Sequence, residues 1–68
     1  MKTYAAEFTA HGGGVYVAEL MATTQAAAIC EAWDGWRTEL RAVYHTPGGI
    51  GALNATTPAV WRRNAPGC

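Results

Sequence analysis

The stretch TTQAAAICEAWDGW, residues 23–36, decides the fold, because it is the one segment with helical spacing between two β-patterned ones. Thr23 and Thr24 each offer a side-chain oxygen to cap a helix, and Gln25 to Trp33 contains no Gly, no Pro and no run of β-branched residues. Ala26, Ile29, Cys30 and Trp33 recur at i, i+3, i+4 and i+7, which predicts one apolar helix face. Gln25, Ala28, Glu31 and Ala32 then fall on the flank and the opposite side. Gly35 stands where a left-handed residue ends a helix, so Asp34-Gly35 is expected to be the stop. On that reading Trp33 is the last core anchor, and Trp36 lies beyond the helix.

Outward from this stretch the period changes to two. Tyr4, Ala6, Phe8 and Ala10 alternate with Thr3, Ala5, Glu7 and Thr9, as in a half-buried strand. His11-Gly12-Gly13-Gly14 follows, and its glycines can supply the positive φ angles of a hairpin loop before Val15–Leu20 resumes a β-rich run. After the helix, Thr38–His45 alternates again, with Leu40, Ala42 and Tyr44 opposed to Glu39, Arg41, Val43 and His45. TPGGIGALNATTPAVW reads as turn, short strand or loop, and turn. Ala59–Arg63 is a last strand, expected at an edge because Pro58 precedes it. Residues 63–68 are expected to be a frayed tail. The expected fold is a single domain, 1–68, of class α+β: a small antiparallel sheet in the order β-β-α-β-β with one helix packed on one face. The other face is left partly open, or for a partner.

The chain has 68 residues, half of them apolar, but fourteen of those are alanines that bury little area each. A scaffold of this size draws only about 3–5 kcal/mol from its core, so a partner or a second copy forming a homodimer would help hold it. A deep enzyme pocket needs more chain than this, and the protein is expected not to be an enzyme. Met1-Lys2-Thr3-Tyr4 leads into a strand pattern rather than an apolar run, so neither a secretory signal nor a membrane span is expected. The expected compartment is the cytoplasm, where Cys30 and Cys68 would be reduced thiols, with a bridge between them open to oxidation.

Candidate chemistry narrows quickly. His11, Cys30, His45 and Cys68 lie 15 or more residues apart, without the close pairs that structural zinc sites use, so no metal or other cofactor is expected. Cys30 sits on the apolar face and Cys68 at the end of the sequence, which makes neither a good nucleophile. HGGG and PGGIG lack the Gly-Lys-Ser/Thr of a phosphate loop and read as turns. Charge is more informative. Residues 1–36 set Lys2 against Glu7, Glu19, Glu31 and Asp34, a net −3, whereas residues 37–68 set Arg37, Arg41, Arg62 and Arg63 against Glu39, a net +3. With Trp36, Tyr44 and Trp61 among them, the arginines have the composition of an interface hot spot. The partner-binding set expected from sequence is Trp36, Arg37, Arg41, Trp61, Arg62 and Arg63. The competing role for Trp36 and Trp61 is completion of the core. The same aromatics and arginines suit single-stranded nucleic acid, although such modules usually carry a basic net charge and this chain is neutral.

A hairpin start (KTYAAEFTA, VYVAEL), one capped helix (TTQAAAICEAW) and further strands (TELRAVYH, AVWRR) in a chain this short resemble the small phage- and prophage-encoded anti-CRISPR proteins. The resemblance is architectural and spans the whole chain. It carries no motif, and no binding residue transfers with it. It implies a stoichiometric inhibitor in the cytoplasm of a host bacterial cell, binding a CRISPR-Cas effector complex and blocking DNA recognition or nuclease recruitment. Many such inhibitors are acidic DNA mimics; this chain departs from them in being neutral, which implies a shaped surface of arginines and aromatics instead. The alternative is a small nucleic-acid-binding or regulatory module using its arginine- and aromatic-bearing sheet.

Overall fold

A computed structural model describes residues 1–66. Among these described residues are four antiparallel strands and one α-helix: β1 Lys2–Thr9, β2 Val15–Ala22, α1 Gln25–Trp36, β3 Leu40–His45 and β4 Ala59–Arg62. A 3-10 turn, Ile50–Ala52, lies between β3 and β4. The sheet order is β2-β1-β3-β4. Because β2 and β3 both run opposite to β1, they run the same way as each other, and α1 is the crossover that carries the chain past β1. This is the α+β fold of a four-stranded antiparallel sheet with one helix. β1 and β2 pair without interruption from Lys2↔Ala22 to Thr9↔Val15. Their loop closes with Ala10 N–H donating to Gly14 O at 2.7 Å, while Gly12 and Gly13 take φ of 91° and 94°. Those angles strain any residue with a Cβ, which is why the loop is built of glycine.

Thr24, extended at φ −136°, caps α1 by accepting a hydrogen bond from Ala27 N–H at 3.1 Å. The helix then departs from the sequence expectation in two ways. It runs through Asp34-Gly35 to Trp36, so Asp-Gly is not its stop, and Gly35 is not among the positive-φ glycines, Gly12, Gly13 and Gly49. Its buried face is also turned. Ala28 and Ala32 are fully buried, Ile29 and Trp33 pack beside them, and Ala26 is exposed. Alanines on the inner face let the helix approach the sheet closely, and the bulk comes from Tyr4, Leu40 and Val43 beneath, each worth about 1.5–3 kcal/mol when fully buried.

β3 also differs. Phe8 pairs with Leu40 but Glu7 with Ala42, so Arg41 is an extra residue, a β-bulge. The bulge reverses the side-chain alternation. Leu40 and Val43 both face the helix core, while Ala42 and Tyr44 face the other side. A second irregularity, at Val60, lets Trp61 pair with Val43 and join the same core. The far face is not bare: Ala5 and Ala42 on it are buried, and the 3-10 turn of the β3–β4 loop contacts β2, with Gly49 facing the Glu19 carboxylate.

The segment expected to fray is held at its start. Arg63 N–H donates to Arg41 O, Ala65 N–H to Arg62 O, and the Trp61 indole to Pro66 O. Residues 67 and 68, the rest of that segment, lie outside the described residues. Cys30 is not a free thiol, which corrects the reduced state expected of it. The pairing expectation also involves Cys68, which lies outside the described residues.

Candidate binding surface

One end of the sheet gathers most of the chain's positive charge. There β1 finishes, β3 begins, β4 finishes and α1 ends, tied by the Phe8↔Leu40 and Ala42↔Arg62 pairs and by Thr9 N–H donating to Glu39 O at 2.9 Å. Arg41, Arg62 and Arg63 line one shallow depression there with Thr9 and Asn64. The bulge at Arg41 and the antiparallel return of β4 place these residues side by side; their sequence positions alone would not.

The three arginines have different duties. Arg63 donates through Nη1 to Leu40 O at 2.5 Å and to Arg37 O at 3.2 Å, so its guanidinium clamps the end of β4 to the α1–β3 connection. Arg62 lies on the face away from the helix, near Tyr44. The Tyr44 hydroxyl donates to Glu7 Oε1 at 3.1 Å. Desolvation, then the bond to Glu7 and its charge, push the Tyr44 phenol above its usual pKa, and Arg62 pulls it the other way. Arg41 is exposed in the bulge. Arg37, at the helix end, sits 3.8 Å from the Asp34 carboxylate in an exposed pair that adds little to stability. Glu39 is held below the usual carboxylate range, chiefly by the Thr38 hydroxyl that donates to it at 2.6 Å.

The six residues expected to bind a partner therefore separate. Arg41, Arg62 and Arg63 come together and are exposed; Arg37 is exposed too but meets them through its backbone carbonyl, while its guanidinium sits by Asp34. Trp61 does not join them: it is 4 % exposed, meets Trp33 edge to face at 5.8 Å, and is a core residue. Trp36 is half-buried and stacks on Phe8, with ring centroids 4.8 Å apart and planes 10° from parallel. Its other surroundings form a groove of about 460 Å³ with Tyr16, His11, Gly35 and Glu39. Thr9 borders both this groove and the arginine depression. Phe8 and Tyr16 are absent from the sequence-based set, although the hairpin pairs them directly and they meet edge to face at 6.2 Å.

Among the described residues no cluster of three or more His, Cys, Asp or Glu is placed to hold a metal ion, and no helix is long and apolar enough to cross a membrane. No protein family, curated protein or solved structure matches the chain.

Proposed function

We propose that this is a non-enzymatic binding protein that engages a protein partner through its arginine-bearing end. The observation that supports this reading is the convergence of exposed Arg41 and Arg62 beside Arg63, whose own guanidinium is spent on holding the end of β4 in place. Planar guanidinium groups on a braced backbone suit carboxylate-rich surfaces, because each can make two parallel hydrogen bonds at low ordering cost. The architectural resemblance to anti-CRISPR proteins supplies the partner class. The proposed target is a bacterial CRISPR-Cas effector complex in the host cytoplasm, with inhibition by blocking DNA recognition or nuclease recruitment. The test is target-DNA binding by a panel of purified effector complexes with equimolar protein added. We expect one effector to lose DNA binding, and the Arg41→Glu, Arg62→Glu double variant to inhibit at least tenfold less well with an unchanged circular dichroism spectrum. No effect on any effector rejects the target class.

A second reading rests on a separate observation. The Phe8–Trp36 stack lies just across Thr9 from the arginine depression, a pairing of aromatic platform and cationic cleft that suits single-stranded nucleic acid. Contact of Arg41 and Arg62 with phosphate would give a log–log salt slope of about −1.4. A flat salt response favours the protein partner.

A further inference from the structure

The opposite margin of the sheet points to a different event. β2 is an edge strand of eight residues, uninterrupted, and paired on one side only. Four of the chain's exposed large apolar residues lie on it: Val15, Tyr16, Val17 and Met21. A fifth, Ile50, belongs to the 3-10 turn that contacts it. Edges of this kind are ordinarily blunted by Lys, Pro or a bulge. β2 carries none of these, and its one charge is Glu19.

The backbone direction of this edge follows from hydrogen bonds at the ends of β1. The Ala10–Gly14 closure makes Phe8/Tyr16, Ala6/Ala18 and Tyr4/Leu20 the bonded pairs of the hairpin. The bonds of Thr9 N–H to Glu39 O and of Thr46 N–H to Thr3 O turn the alternate residues of β1 toward β3, as that assignment requires. The N–H and C=O groups of Val15, Val17, Glu19 and Met21 consequently point out of the sheet.

We propose that β2 pairs antiparallel with β2 of a second copy about a two-fold axis at Ala18, making one continuous eight-stranded sheet. This register places Val15 opposite the second copy's Met21 and Val17 opposite its Glu19, and brings all four outward residues into bonded pairs, about eight inter-chain hydrogen bonds. A shift of the axis to Glu19 would oppose two carboxylates and lose a pair; a shift to Val17 would also lose one. At Ala18 itself only two methyl groups meet. On the helix side, Tyr16 comes opposite Leu20 of the second copy and both helices lie on one face. A second copy is thus an occupant that fills all four outward positions of the edge without setting the two Glu19 carboxylates directly opposite each other. A foreign strand would need to do the same. The inference is independent of the arginine-bearing end.

Sedimentation equilibrium of the full chain tests it, together with two variants. Wild type should show twice the 7.2 kDa chain mass. Val17→Pro removes one outward N–H and leaves the hydrogen bonds between β1 and β2 untouched, so it should sediment as a monomer with an unchanged circular dichroism spectrum. Ala18→Cys should form an inter-chain disulfide between the two substituted positions on mild oxidation, located by peptide mass spectrometry. Residues facing each other in such a non-bonded pair have Cα atoms about 4.5 Å apart, within disulfide reach. Wild type that stays monomeric at hundreds of micromolar overturns the proposal, as does a dimer that Val17→Pro leaves intact. A dimer in which the Ala18→Cys variant forms no such link overturns the register. Should Val17→Pro fail to fold, the disulfide of the Ala18→Cys variant and the wild-type mass still decide.

Discussion

The two margins of this one sheet are built on opposite plans. β4 is short, four residues, follows Pro58, carries an irregularity at Val60 and ends at Arg62, with Arg63 directly after it. β2 is twice as long, regular, and shows valines, a tyrosine and a methionine to solvent. A short, bent and charged edge cannot take up another strand by backbone pairing, so what it presents is side-chain chemistry. A long flat apolar edge presents its backbone. The contrast assigns recognition of a different molecule to the first margin and association with its own kind to the second.

Breaking each margin at its anchor should separate them most widely. Trp61 ties β4 to the core, and Trp61→Ala is expected to cost about 3–5 kcal/mol, comparable with all the stability a domain this size has, and so to abolish the cooperative thermal transition. Tyr16→Ala, on the β2 margin and 61 % exposed, loses only its edge-to-face contact with Phe8 and should cost the monomer no more than about 1 kcal/mol. Similar melts for the two variants would contradict the placement of Trp61 in the core.

Within the arginine end the comparison can be sharpened further. Arg63→Ala removes a charged donor from two backbone carbonyls and should cost about 1–2 kcal/mol in a urea titration, allowing for its partial exposure. Arg62→Ala should stay within about 0.5 kcal/mol. Equal costs would mean that Arg63 is not a clamp. A smaller effect, of opposite sign, is expected where α1 meets this end. Gly35 is helical with open space around it, so Gly35→Ala should raise stability by about 0.5–1 kcal/mol. A glycine in the left-handed conformation would give a loss instead, and the thermal midpoint distinguishes the two.

The elements that can be read from sequence are those whose signal is local. Alternation in residues 2–10, the triglycine loop, the Thr24 cap and the Pro58 edge each depend on neighbours a few residues away, and the structure holds all four. The misread features depend on contacts made after folding. Four alanines at 26, 27, 28 and 32 leave the helix phase undetermined by hydropathy, and the close approach to the sheet selects Ala28 and Ala32. The continuation of the helix through Asp34 and Gly35 to Trp36 brings Trp36 onto Phe8, a partner twenty-eight residues away. No residue type marks Arg41 as a bulge, yet that bulge moves Val43 into the core and sets Arg41 beside Arg62 and Arg63. The arginine half of the site is thus visible as composition, while its convergence is not. The same reasoning places Trp61 outward, because a Trp beside two arginines has the same composition whether it faces solvent or core.

The division of labour between the margins is tested most directly by sedimentation equilibrium of three chains side by side: wild type, Val17→Pro, and Arg41→Glu with Arg62→Glu. The account predicts dimer, monomer and dimer in that order, with all three sharing one circular dichroism spectrum. A Val17→Pro variant that stays dimeric, beside an arginine double variant that becomes monomeric, would contradict it, since self-association would then belong to the arginine margin.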